Sequence, residues 1–147
     1  MIEVENLNKS YGQLKALNNV SFKVEKGQVV GLLCPNGAGK TTMMRILTGY
    51  FSADSGNAKV ADYDISENPM EVKRRVGYMT ENPLLYTEMT VWDYLSFLAD
   101  IKEVPVREKK NRIGKTMEET GVSQMKNRVI SRLSRGYKQR VGLAQAL

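Results

Sequence analysis

The sequence has no histidine, so no imidazole serves as base, metal ligand or pH switch anywhere in its 147 residues. Its single cysteine, Cys34, cannot close an internal disulfide. One thiol without imidazoles also falls short of a zinc site. Both absences fit a reducing cytoplasm. Long apolar runs are missing too. The longest, residues 29–33, is interrupted by Gly31 and is far below the roughly 18 residues of a membrane span. The opening Met1-Ile-Glu-Val-Glu5 has neither the basic start nor the apolar stretch of a signal peptide. What remains, 41% hydrophobic and 26% charged residues, is the composition of an ordinary globular domain with a real core.

The net charge of +6 is unevenly spread. Residues 102–140 hold 12 Lys/Arg against 4 Asp/Glu, and the rest of the chain holds 10 against 12. A basic segment can mark a nucleic-acid surface. No aromatic interleaving accompanies this one, so solvated helix faces are expected and nucleic acid is not.

Hydrophobic periodicity then suggests alternating strands and helices. Residues 2–7 and 20–24 alternate apolar and polar side chains, as half-buried strands do. Residues 28–33 form a short continuous apolar run that predicts a strand buried on both faces of a parallel sheet. A Gly-rich stretch follows at 36–40, then a helix over 41–48 that stops at Gly49. Residues 53–56 predict a turn, 58–60 an edge strand and 76–79 another short strand. Asn68, Pro69 and Glu71 predict a helix start with an N-cap, a proline at the first helical position and an acid in the first turn. After Pro83 the pattern turns helical. Thr90 with Asp93 resembles a capping box and opens a helix carrying Val91, Tyr94, Leu95, Leu98 and Ile101 on one face. Pro105 interrupts it, and a basic helix runs from about 106 to 119, before Gly121.

The first chemistry lies in Cys34-Pro35-Asn36-Gly37-Ala38-Gly39-Lys40-Thr41-Thr42. A Gly-rich loop between a strand and a helix converges backbone N–H groups and the positive helix end on a phosphate. Gly37 and Gly39 let the chain wrap closely. Lys40 can reach β- and γ-phosphates, and the Thr41 hydroxyl can ligate Mg²⁺. The strict pattern places glycine at position 34. Cys34 is tolerable there if its backbone stays extended; a thiol beside a lysine and a helix N-terminus is alternatively a reactive one.

A second feature is Leu133-Ser-Arg-Gly-Tyr-Lys-Gln-Arg140. Tyr137, Val141, Ala144 and Leu147 form an apolar stripe at helical spacing, with Ser134 placed as its N-cap. A plain capped amphipathic helix explains this much. Its N-terminus, with a hydroxyl and the close-approach Gly136, is also suited to phosphate.

The segment resembles the signature of ABC-type ATPases, usually Leu-Ser-Gly-Gly-Gln, with Arg135 in place of a glycine and Tyr137 in place of glutamine. The resemblance extends along the whole chain. Residues 34–42 resemble the family's phosphate loop, and Tyr11 the aromatic residue that stacks on adenine. Residues 76–83 resemble the loop whose glutamine faces Mg²⁺ and the membrane partner, with Glu81 at the glutamine position. A carboxylate is a harder Mg²⁺ ligand than an amide, but it repels the γ-phosphate and lacks a donor.

The resemblance implies an α/β P-loop NTPase core, with a mixed or parallel sheet, an antiparallel β edge and a helical subdomain. It divides the chain into a nucleotide-binding core at 1–82, a helical subdomain at 83–131 and the signature at 132–147. It implies ATP and Mg²⁺ as cofactors, held by Tyr11, residues 34–42, Glu81 and Ser134, Arg135, Gly136 and Tyr137. The expected partners are a second ATP-binding subunit and membrane-spanning subunits, with the protein peripheral on the inner face of the membrane. Glu81 with Arg135-Gly136-Tyr137 is similar to gliding-motility-type exporters, so export is the expected direction. The family's Asp-Glu-ending strand and switch histidine have no counterpart here. The C-terminal part of the core is therefore expected to be missing, no catalytic residue is assigned, and hydrolysis is expected only of a longer parent. A soluble ABC-type ATPase acting on nucleic acid or ribosomes, and a non-hydrolysing module, are the alternatives.

Overall fold

The computed structural model describes residues 1–35 and 37–147. Alternation at the N-terminus produces a hairpin longer than the pattern suggests: Ile2–Tyr11 (β1) pairs antiparallel with Leu14–Val24 (β2). The register slips beyond Val4, near Asn6 and Asn19, which adopt left-handed φ values of 48° and 50°. The Asn8 side chain stabilises the irregularity. It donates to the Asn6 carbonyl at 2.7 Å and accepts from the Asn19 N–H at 2.8 Å.

Ser55–Val60 (β3) pairs with the other side of β1, and Tyr63–Asp64 (β4) completes the order β2-β1-β3-β4, antiparallel throughout. The strand expected as an edge at 58–60 is thus flanked on both sides. The tight turn at Ala61 and Asp62, both at positive φ, folds β4 back onto it. Lys9 pairs with Asp54 at 2.6 Å, and the Ser10 N–H donates to the same carboxylate at 2.7 Å.

Lys40–Leu47 (α1) and Pro69–Arg75 (α2) cover the apolar side chains of this sheet. Val4, Leu7, Leu17, Ala58 and Val60 pack with Met43, Ile46, Leu47 and Val72, all buried. Each large one contributes about 1.5–3 kcal/mol of transfer free energy. Asn68, Pro69 and Glu71 take the expected positions at the start of α2, but Asn68 makes no side-chain cap bond. Together these elements form one compact unit, Met1–Val76.

Two expected strands do not form. Residues 28–33 and 76–79 have no regular structure, and Val29 and Leu33 are 101% and 93% exposed. Composition suits a buried strand, but a strand exists only beside a hydrogen-bonded neighbour, and among the described residues nothing pairs with either segment.

Gly77–Leu147 is the second compact unit. Thr90 caps Val91–Ile101 (α3) by accepting from the Asp93 N–H, and its hydroxyl donates to the Asp93 carboxylate at 2.6 Å. Val91, Tyr94 and Leu95 are buried as the spacing predicts, and Ala99 joins them. Ile101 is instead 61% exposed, because the last residue of α3 falls at the margin of the apolar stripe. Pro105 precedes Val106–Glu119 (α4), which buries Ile113 and Met117. Two short 3₁₀ turns lead to Arg135–Ala144 (α5). Val141 and Ala144 reach the core with Val122, Ile130 and Leu133, while Leu147 lies beyond the helix end and is 67% exposed.

Candidate nucleotide site

Residues 34–42 run from an irregular segment into the first turn of α1. Asn36 lies outside the described residues. Gly37 and Gly39 take φ values of 83° and 88°, in the left-handed region that side chains disfavour. At Gly39 space matters as much as conformation. A Cβ there would overlap the Ala16 carbonyl oxygen of β2 and come within 2.9 Å of Leu17 Cδ2. Only glycine brings the helix start this close to the strand. The Ala38 N–H closes the bend onto the Pro35 carbonyl at 3.3 Å, and the Met43 N–H bonds the Gly39 carbonyl at 2.8 Å.

Lys40 folds back across this loop. Its ammonium donates to the Pro35 carbonyl at 2.8 Å and also to the Cys34 carbonyl. Both acceptors are neutral carbonyls, so a bond to an anionic oxygen would be the stronger one for this ammonium. Cys34 is half-buried, Pro35, Gly37, Ala38 and Thr41 are exposed, and Thr42 is half-buried. Tyr11 ends β1 and is 45% exposed, its ring edge-on to Phe51 at 6.5 Å between centroids. The Arg45 guanidinium covers that Phe51 ring at 5.5 Å.

In the second unit Ser134 is the N-cap of α5, its hydroxyl oxygen accepting from the Tyr137 N–H at 3.4 Å. Ser134, Arg135 and Gly136 are exposed, whereas Tyr137 is half-buried. The Tyr137 hydroxyl accepts from Gln124 at 2.7 Å, and Arg140 stacks over its ring at 5.6 Å. Ser134, Gly136, Tyr137 and Arg140 line a depression of about 210 Å³. Glu81 is exposed, and its main-chain carbonyl accepts from the Gln139 side chain at 2.7 Å. Sequence reading missed Gln139 and Arg140. Arg140 lies three residues beyond Tyr137 on one helix face, a usable signal; Gln139 bonds a residue 58 positions away, and no spacing rule reaches that far.

A family model described as ABC transporter matches residues 17–147. The chain belongs to that family. The uncharacterized ABC transporter ATP-binding protein YxlF of Bacillus subtilis is 38% identical over all of this chain and 48% of its own length. The sulfate/thiosulfate import ATP-binding protein CysA of Pectobacterium atrosepticum is 36% identical over 99% of this chain and 45% of its own length. The chain thus spans about half the length of the curated relatives it matches. Among solved structures, an ATP-binding subunit of an ABC transporter superposes with a TM-score of 0.86 at 27% identity, over 99% of this chain and 60% of that one. CbiO1 of Clostridium perfringens, part of the ABC transporter complex cbiONQ, gives a TM-score of 0.88 at 27% identity with the same coverage. The fold is that of the ABC ATPase P-loop domains. Among the described residues no helix is long and apolar enough to cross a membrane.

Proposed function

We propose that this chain is the MgATP-binding part of a transporter subunit whose whole protein couples ATP hydrolysis to movement of a solute across a membrane. The observation that carries the reading is the loop at 34–42, with left-handed Gly37 and Gly39 and the Lys40 ammonium poised over its carbonyls. Backbone donors and a lysine collected at the start of α1 are what a triphosphate requires.

The residues present also suit the metal. Mg²⁺ takes one or two protein oxygens and completes its shell with phosphate and water. Thr41 offers an exposed hydroxyl in the first turn of α1, and Glu81 an exposed carboxylate in the second unit. Among the described residues no cluster of three or more His, Cys, Asp or Glu could cage a metal. When bound, Mg²⁺ would neutralise phosphate charge, and Thr41 and Glu81 are the ligands that the family resemblance offers it. Tyr11 would stack on the base, and Ser134, Arg135, Gly136 and Tyr137 would face the nucleotide of a second ATP-binding subunit.

Membrane-spanning subunits complete the proposed assembly, with this subunit peripheral on the inner face. Glu81 and Arg135-Gly136-Tyr137 support export. The CysA relatives are import proteins by name, so whole-chain similarity does not favour export, and that direction rests on these few residues.

The test is calorimetric. Lys40→Ala should weaken MgATP binding about tenfold or more, since a charge-assisted phosphate contact contributes about 1.5–3 kcal/mol. Equal affinities for the two forms would remove the phosphate loop from the proposal.

A further inference from the structure

Helix α5 is fastened at three points to the segment that carries Glu81. Gln139 Nε2 donates to the Glu81 main-chain carbonyl at 2.7 Å. One turn further along, Gly142 lies against Pro83, where a Cβ would come within 2.7 Å of both Cβ and Cγ of the ring. Beyond the helix end, a Cβ on Gly77 would overlap the Ala146 carbonyl. Residues 77–83 have neither helix nor strand to hold them, so these contacts take that role.

Around Glu81 itself the restraint is dense. The Thr80 hydroxyl reaches past it to the Asn82 carbonyl at 2.9 Å. Pro83 confines Asn82 to extended backbone conformations. The carbonyls of residues 81 and 82 are therefore both engaged. The Glu81 side chain is exposed, and its carboxylate makes no hydrogen bond or ion pair among the described residues.

We propose that Gln139 is a positioning residue for Glu81. By holding the Glu81 carbonyl it fixes the peptide plane, and with it the direction in which the carboxylate is offered to the Mg²⁺ of bound MgATP. It also ties the backbone of that residue to α5, the helix that Ser134 caps. The inference rests on the reading of Glu81 as a metal ligand. The physical gain is preorganisation: a ligand on an anchored loop has already lost most of the freedom that metal binding would otherwise remove. Glutamine suits the role because it brings a neutral N–H donor to a carbonyl; glutamate has the same length but would set acceptor against acceptor.

The experiment compares ATP affinity of the chain in Mg²⁺ and in EDTA by calorimetry, taking the ratio as the metal-dependent gain. Gln139→Glu and Gln139→Ala should each lower that ratio about two- to tenfold, the range of one net hydrogen bond, and leave metal-free affinity unchanged. Gln139→Lys, which keeps a donor, should restore most of the ratio. In a Glu81→Ala background the same substitutions should have no effect. A normal ratio in both donor-less variants, with a lowered one in Glu81→Ala, overturns the positioning role and leaves the metal reading standing. A normal ratio in Glu81→Ala removes the metal reading and the inference with it. Equal losses with and without Mg²⁺ in Gln139→Ala, absent in Gln139→Glu, would assign Gln139 to packing and also overturn it.

Discussion

Gly37 and Gly39 provide a matched pair for separating backbone conformation from space. Both hold φ near the left-handed well, at 83° and 88°. Their surroundings differ: a Cβ at Gly37 meets nothing within 4 Å, whereas one at Gly39 runs into the Ala16 carbonyl and Leu17 Cδ2. Gly37→Ala should therefore cost only the left-handed penalty, roughly 1–2 kcal/mol. Gly39→Ala carries the same penalty plus overpacking of about 1–3 kcal/mol, for a total near 2–5 kcal/mol. Native-state hydrogen exchange of the β1 amides reads this directly, because those amides open with the unit that contains both loop and sheet. A thermal scan should place Gly39→Ala several degrees below Gly37→Ala, at roughly 2–4 °C per kcal/mol for a chain of this size. Equal losses in the two variants would refute the reasoning. They would mean that the start of α1 slides away from Ala16 at no cost, and that the close approach does not shape the loop.

Two further outcomes are expected. Alkylation of the half-buried Cys34 should proceed in the free chain and slow in saturating MgATP, because residue 34 begins the proposed phosphate loop; a rate unchanged by MgATP would take Cys34 out of the nucleotide loop. The Lys9 ammonium and the Ser10 N–H hold the Asp54 carboxyl below its ordinary range. Its contribution to stability is thus present above the unfolded carboxylate value of about 3.9 and lost as pH falls through the lower folded value. The stability gap between the chain and Asp54→Asn should accordingly be constant from pH 6 to 8 and close as pH falls below about 4, and a gap that widens in acid would contradict that sign.

The parts of the fold that were legible in the sequence are those written by near neighbours. Thr90 and Asp93 are three residues apart, and the cap they specify forms. Pro105 and Gly121 bracket a helix that occupies Val106–Glu119. The run at 28–33 had the right composition for a strand and forms none, because ladder bonds come from another segment and local composition carries no record of one. Ile101 and Leu147 fit helical spacing yet stay exposed, since spacing describes a face and not how far along a helix its cover extends. In the candidate site, the glycine spacing at 37 and 39 is readable, but the approach of Gly39 to Ala16 joins residues 23 positions apart and appears only with the fold. The bond from Gln139 to Glu81 is hidden for the same reason.

These non-local contacts also decide which side of the phosphate loop is firm. On the side of Cys34, residues 28–33 are irregular and exposed, and among the described residues the Lys40 ammonium and the Ala38 N–H bond the carbonyls of Cys34 and Pro35. On the helix side, Gly39 is pressed against Ala16, and Met43 and Ile46 are buried in the core that Leu17 shares. Donors at the start of α1 are therefore held by the β1–β2 hairpin through packing, while the backbone near Cys34 is held by the Ala38–Pro35 bond and by a lysine that a phosphate would draw away. Affinity in this chain should accordingly come chiefly from the helix end. The N–H groups of the first turn of α1 point toward the loop whatever Lys40 does, and their partial charges add to that of the lysine once it turns to the phosphate.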